Sequence, residues 1–137
     1  MEQAAEIFRE FCAATDDSQE PRANFATIYI SEAHAEDDWA LPPPMARELG
    51  EGAHISLART MADRIDAAKR FQARFQYRPA LYCDSLSDDA MDAFQAWPER
   101  AFIFERGVCV FAGGKGPFDF DLAKVQAWLR QRFATSS

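Results

Sequence analysis

Ile28-Tyr29-Ile30-Ser31-Glu32-Ala33-His34-Ala35-Glu36-Asp37-Asp38-Trp39 is the stretch around which the rest of the chain is read. Apolar and aromatic residues give way abruptly to Glu32, His34 and the acids at 36–38. An apolar strand ending in a polar cluster is how an open α/β sheet displays chemistry, at the carboxyl ends of its strands. From Phe25 to Ile30 both faces are apolar or β-branched, except for Thr27 and the Tyr29 hydroxyl. That pattern predicts an inner, parallel strand covered by helices on two sides.

Working outward, Ala4, Ile7, Phe8, Phe11 and Cys12 recur at helical spacing opposite Glu2, Glu6, Arg9 and Glu10, which predicts a helix over 2–12. Asp16, Asp17, Ser18, Pro21 and Asn24 follow as a polar loop. Beyond Trp39, Ala-Leu-Pro-Pro-Pro-Met and then Gly50 and Gly52 read as one long irregular segment, a lid or an excursion. Ser56 is the expected N-cap of a helix reaching Phe75, with Leu57, Met61, Ile65, Ala68, Phe71 and Phe75 as its apolar stripe. Pro79 closes that helix, and 80–84 is a short strand. Ser87, Asp88 and Asp89 start a brief helix with Met91 and Phe94 turned inward, which Pro98 stops. Arg106-Gly107 between 101–105 and 108–112 predicts a tight antiparallel hairpin. After the Gly113–Pro117 turn, Asp119 and Asp121 lead a last helix carrying Leu122, Val125, Leu129 and Phe133. The expected order is α-β-α-β-α-β-β-α, an α/β domain occupying residues 1–137.

At 137 residues, with 12 phenylalanines and 3 tryptophans, the chain has the material for one substantial core. Its net charge of -7 and the lack of a basic stripe argue against nucleic acid as a partner. Cys12, Cys83 and Cys109 are widely spaced, form no Cys-x-x-Cys pair, and read as small buried hydrophobes rather than as nucleophiles or zinc ligands. With no signal peptide, long apolar span or lipidation signal, the expectation is a cytoplasmic chain without a membrane partner.

The strand–helix–hairpin–helix ending resembles the second half of a thioredoxin-like fold, in which Pro98 stands where a cis-proline commonly lies beside the active site. Tyr29-Ile30-Ser31-Glu32-Ala33-His34, Asp38-Trp39, Arg64 with Ala67 and Ala68, Pro98-Glu99-Arg100, Gly113-Gly114-Lys115-Gly116-Pro117 and Trp128-Leu129 resemble, in order, the iodothyronine deiodinase family. The likeness covers essentially the whole chain. It implies a selenol or thiol oxidoreductase that reductively removes iodine from an aromatic substrate, with no cofactor held by the chain and electrons from an external thiol. In the family the nucleophile, usually selenocysteine, follows a central strand and begins the first helix. Neither that strand nor a nucleophile motif precedes the helix at 2–12.

The absent strand belongs between those at 25–30 and 101–105. Each buried backbone group left unpaired there costs about 1–3 kcal/mol, against a domain's whole margin of about 5–15 kcal/mol. The expectation is therefore that Met1 is an internal residue and that the protein extends upstream. A selenocysteine codon read as a stop would place an assigned start at the next methionine. The competing expectation is a short, non-catalytic thioredoxin-fold binding module that borrows a strand from a partner or forms a homodimer. A peroxiredoxin-like thiol peroxidase acting on a peroxide is the third alternative.

Within this frame His34 is the expected proton donor or hydroxyl-holding group, suited by its near-neutral pKa. Glu32, two residues earlier, is expected to orient it. The resemblance gives Arg100 and His54 as substrate-binding residues. The plain alternatives are a loop histidine bonded to Asp37 or Asp38, a solvated Glu32, and an Arg100 paired with Glu32 or Glu99. Gly113–Pro117 reads as a turn rather than an anion site, and Tyr29 and Trp39 as core or lid packing.

Overall fold

The computed structural model describes residues 2–13, 21–49 and 55–134. Its architecture is mixed α/β, with two helices meeting a hairpin at one end and a helix packed on a parallel strand pair at the other. The predicted loop residues Asp16, Asp17 and Ser18, and Gly50 and Gly52, lie outside the described residues.

Helix α1 (Glu2–Ile7) runs into a π-helical turn (Phe8–Cys12), closed by Ala13 N donating to Phe8 O at 2.8 Å. Its buried face is Ala4, Ile7 and Phe11, as the spacing predicts. That face meets α5 (Leu122–Ala134), whose Val125 and Leu129 complete a buried cluster with Ile7 and Phe11. Phe133 stacks on Phe11 at 5.7 Å, and Arg22 lies over both rings at 5.2 and 5.3 Å. At the rim Glu10 takes paired hydrogen bonds from Arg130, both 2.8 Å, and one from Gln126.

Strands β3 (Phe102–Glu105) and β4 (Val108–Ala112) form the antiparallel hairpin, and Ile103 and Phe111 pack on the same cluster. Arg106 (φ 49°) and Gly107 (φ 82°) are both left-handed, the geometry of a two-residue hairpin turn whose twist matches its strands. The register slips between Ile103 and Phe104.

Strands β1 (Ala26–Tyr29) and β2 (Ala80–Cys83) pair in parallel, Ala26 opposite Ala80 and Tyr29 opposite Cys83. Helix α3 (Met61–Arg74) covers one face: Tyr29 meets Phe71 edge-on at 6.2 Å, Phe71 meets Tyr77 at 5.3 Å, and the Tyr77 and Thr27 hydroxyls are 2.5 Å apart. The expected two-sided burial of β1 is not met. Ile28 is 42% exposed, and Tyr82 across from it is 60% exposed. On that open side a groove of about 380 Å³ lies between Phe8 and Cys12 of the π turn and Ala26, Ala80 and Tyr82 of the sheet. Among the described residues β1 bonds to β2 alone and β3 to β4 alone. An apolar strand with one neighbour and one covering helix keeps its other face in water.

Three further expectations are corrected. The segment after Trp39 is not wholly irregular: α2 (Pro43–Leu49) forms within it, since proline is pre-organised for a first helical turn and Met-Ala-Arg-Glu-Leu propagates it. Helix α3 starts at Met61 rather than after Ser56. Thr60 and Asp63 close a reciprocal capping box, whereas the Ser56 hydroxyl donates to Glu36. Its buried face is Arg64, Ala67 and Ala68, while Met61, Ile65 and Phe75 are exposed. Finally, Cys109 is exposed on β4 and Cys83 half-buried, so neither is the fully buried hydrophobe its surroundings suggest.

Candidate active site

The site is built where β1 ends. Its chain turns at once, and the turn is anchored by the fully buried Ala35 and by Asp38 N donating to Ala35 O at 3.1 Å. The segment before α3 runs alongside and is tied to the turn at several points. Glu36 N donates to Ile55 O, Leu57 N to Asp37 Oδ1 at 2.7 Å, and Arg59 to Asp37 Oδ2 at 3.1 Å. The acids after His34 are thus structural staples of the turn, and Asp37 is held below the usual carboxylate range chiefly by the Leu57 amide, with Arg59 assisting.

His34 sits in the left-handed region at φ 61°, a conformation that a non-glycine residue keeps only where its surroundings impose it. Its ring lies 4.3 Å from that of Trp39, and Nδ1 is 3.2 Å from Trp39 O. A carbonyl only accepts, so Nδ1 carries a proton. In the neutral ring Nε2 is then the acceptor, and in the cation it becomes a donor. The partner of His34 is Trp39 rather than Asp37 or Asp38.

Glu32 faces the other way. Its Oε2 accepts from Ala58 N at 3.3 Å, and its neighbour is the Tyr29 phenol. Burial, reinforced by the Glu32 charge and hydrogen bond, pushes the Tyr29 pKa up to about 12, so the phenol stays a proton donor at ordinary pH. Glu32 Oε1 is buried without a partner among the described residues.

Trp39 carries the site across the molecule. It is 59% exposed rather than core packing, and it stacks on Trp97 at 6.2 Å. Trp97 begins the cis Trp97–Pro98 peptide, the isomer the resemblance implies. Arg100, two residues on, donates from Nε to Gly113 O at 2.8 Å and from Nη1 to Phe94 O at 3.2 Å, and lies 5.0 Å over the Phe102 ring. Its described donors go to main-chain carbonyls, not to Glu32 or Glu99. The Gly113–Pro117 run thus acts as a structural turn that positions Arg100. His54 lies outside the described residues.

A buried charge beneath the site escapes sequence reading. Arg64 is 2% exposed and pairs with Asp88 Oδ1 at 2.9 Å, while the Asp84 carboxylate caps α4 (Asp89–Phe94) by accepting from Ser85, Ala90 and Met91. Burial works against the Asp84 charge, but those amides and Arg64 outweigh it and hold the carboxyl below its usual range. The sequence signal is Arg64 standing beside Ala67 and Ala68, whose small side chains leave room for a guanidinium.

Among the described residues no three metal-ligating side chains come together, and no helix is long and apolar enough to cross a membrane. Burial pushes the Cys12 thiol up, away from the thiolate a nucleophile needs.

Comparison with known proteins gives the chain a family. A family profile described as iodothyronine deiodinase matches residues 6–133. The chain is similar to the type II iodothyronine deiodinase of Rattus norvegicus, 33% identical over 114 residues, covering 82% of this chain and 41% of that protein. It is likewise 32% identical over 114 residues to the Homo sapiens type II enzyme, covering 82% and 40%. With the Xenopus laevis type I iodothyronine deiodinase it shares 33% identity over 110 residues, covering 80% and 40%. The matched region spans about two fifths of the length of these relatives.

Proposed function

This chain belongs to the iodothyronine deiodinase family, and on that premise we propose that it forms the proton-handling and substrate-holding part of a deiodinase-like oxidoreductase. The fold we assign is thioredoxin-like, completed by a strand that inserts between β1 and β3 and carries a selenocysteine or cysteine upstream of Met1. Among the described residues β1 pairs with β2 alone and β3 with β4 alone, which supports a strand joining their other edges.

The observation that carries the reading is the Trp39–Trp97 stack, which joins the His34 turn to the Pro98–Arg100 segment. An aromatic ring bound there has indole faces for contact, a histidine for its hydroxyl and a guanidinium for its anionic end. The nucleophile attacks the halogen of an iodinated phenol. His34, protonated, supplies the proton that replaces iodine on the ring. Tyr29 and Glu32 form a separate proton-holding pair at the end of β1. The carbon–iodine bond breaks as iodine passes to the nucleophile and a carbon–hydrogen bond forms; one external thiol then displaces iodide from the nucleophile, and a second frees it. The two electrons come from an external thiol pair that ends as a disulfide.

Iodide release from an iodinated phenol in the presence of a dithiol tests this reading on the intact protein. His34→Ala is expected to lower kcat by about 10²-fold or more, the scale of lost general acid catalysis. Arg100→Ala is expected mainly to raise KM. Full activity in His34→Ala would overturn the assignment of His34.

A further inference from the structure

Helix α4 and the segment that follows it hold the substrate side of the site, yet α4 buries none of its residues, and its Phe94 is 37% exposed. The end of α4 is held by the Phe94 ring, which meets Phe102 at 5.1 Å and Phe104 at 6.1 Å, whereas its start is fixed by polar groups. The Asp84 carboxylate accepts from Ala90 N at 2.9 Å and Met91 N at 2.8 Å, and its own main-chain N donates to Tyr29 O at 2.9 Å, the last residue of β1. Over this junction lies Arg64, from the first turn of α3. Its Nη1 reaches Asp84 O at 3.5 Å, Ser85 O, and Asp88 Oδ1 at 2.9 Å. Four elements therefore meet at one guanidinium: α3, the ends of β1 and β2, and the start of α4. At the other end of α4, Phe94 O takes the Arg100 hydrogen bond, and Trp97 follows three residues later.

We infer that Arg64 is a positioning residue for the substrate side: its bonds to the Asp84–Asp88 segment hold α4 so that Trp97 stacks on Trp39 and Phe94 O receives the Arg100 hydrogen bond. Arg64 touches neither tryptophan nor any reacting atom. It acts through Asp84, Asp88 and α4. Lysine replaces it poorly: all three bonds come from Nη1, and a lysine ammonium ends one atom short of that position. The inference rests on the deiodinase-like reading for its kinetic consequence, but not for its structural one.

The test uses the intact protein with Arg64→Lys, Asp88→Asn, Trp97→Phe and the Arg64→Lys/Trp97→Phe double variant. Asp88 is at φ 58°, a conformation asparagine also adopts, so Asp88→Asn weakens the hub without backbone strain and serves where Arg64→Lys fails to fold. For iodide release from an iodinated phenol, Arg64→Lys and Asp88→Asn are expected to raise KM on the order of tenfold, with kcat nearly unchanged. Their effect is expected to vanish in the Trp97→Phe background, the non-additivity that marks two residues acting through one device. Near-ultraviolet circular dichroism reads the Trp39–Trp97 pair without turnover, and Arg64→Lys and Asp88→Asn are expected to lose the band that Trp97→Phe loses. Additive effects on KM, or an unchanged tryptophan band in the folded Asp88→Asn protein, would overturn the inference. A protein that releases no iodide but loses the band in Asp88→Asn would instead refute the deiodinase-like reading and leave the role of Arg64 standing.

Discussion

The two ends of this molecule are held together by different forces. Where α1, α5 and the β3–β4 hairpin meet, the interior is Ile7, Phe11, Val125 and Leu129, with charges confined to the rim at Glu10 and Arg130. Beneath the end of β1, by contrast, the buried positions include Arg64 and Asp84 together with the small Ala67 and Ala68. The first region gains stability from apolar area and tolerates imprecision. The second gains direction from hydrogen bonds, and each of its charged groups is costly if a partner is lost. The candidate chemistry is found in the second. Directed bonds from Arg64 and Arg100, together with the Phe94, Phe102 and Phe104 rings, hold the segment that carries Trp97.

Five substitutions probe that contrast. Phe11→Ala empties a site 2% exposed and is expected to cost about 3–5 kcal/mol in urea unfolding. A loss under about 1 kcal/mol would mean that the helix corner is not the mechanical core. Asp84→Asn removes the charge that three amides share and is expected to cost about 1.5–3 kcal/mol. That loss depends on pH. The Asp84 pKa is lowered on folding, so its contribution is complete above the ordinary aspartate value of about 4 and disappears as pH falls through the lower folded value. The difference between wild type and Asp84→Asn should therefore shrink in acid, and a constant difference would contradict the lowered pKa.

Thr60→Ala opens the capping box of α3 and is expected to cost about 1 kcal/mol. The same change at Ser56 should cost less, since Ser56 caps no helix. The smallest effect at neutral pH is expected from Tyr29→Phe, whose signature is alkaline. The Tyr29 pKa is raised on folding to about 12, so its contribution is present below the unfolded value of about 10 and lost as pH rises towards 12. Absorbance titration of the phenolates should lose its highest-pH component in this variant.

The apolar end was largely legible in the sequence. The spacing of Ile7 and Phe11, the stripe through Val125 and Leu129, and Arg106-Gly107 with its flanking strands all state their structure through period and turn chemistry. The polar end was legible only at its surface. His34 and Glu32 stand out at a strand end, but periodicity leaves Arg64 off the apolar stripe because it cannot express a charge buried by partners remote in sequence. For the same reason it placed Met61 and Ile65 inside. Helix α2 was hidden behind three prolines that read as a breaker and in fact contribute its start. The Trp39–Trp97 stack joins residues far apart in the chain, and the family likeness, not the local pattern, brought Pro98 and Arg100 to the same site.

The central claim is that this chain supplies the frame of a site whose reactive atom comes from a segment upstream. Alkylation of the reduced, intact protein with iodoacetamide, followed by mass-spectrometric location of the modified residue, tests it most directly. The account predicts that loss of iodide-releasing activity follows modification of a selenocysteine or cysteine upstream of Met1, with substrate protecting it. Inactivation that tracks modification of Cys12, Cys83 or Cys109 instead would contradict it.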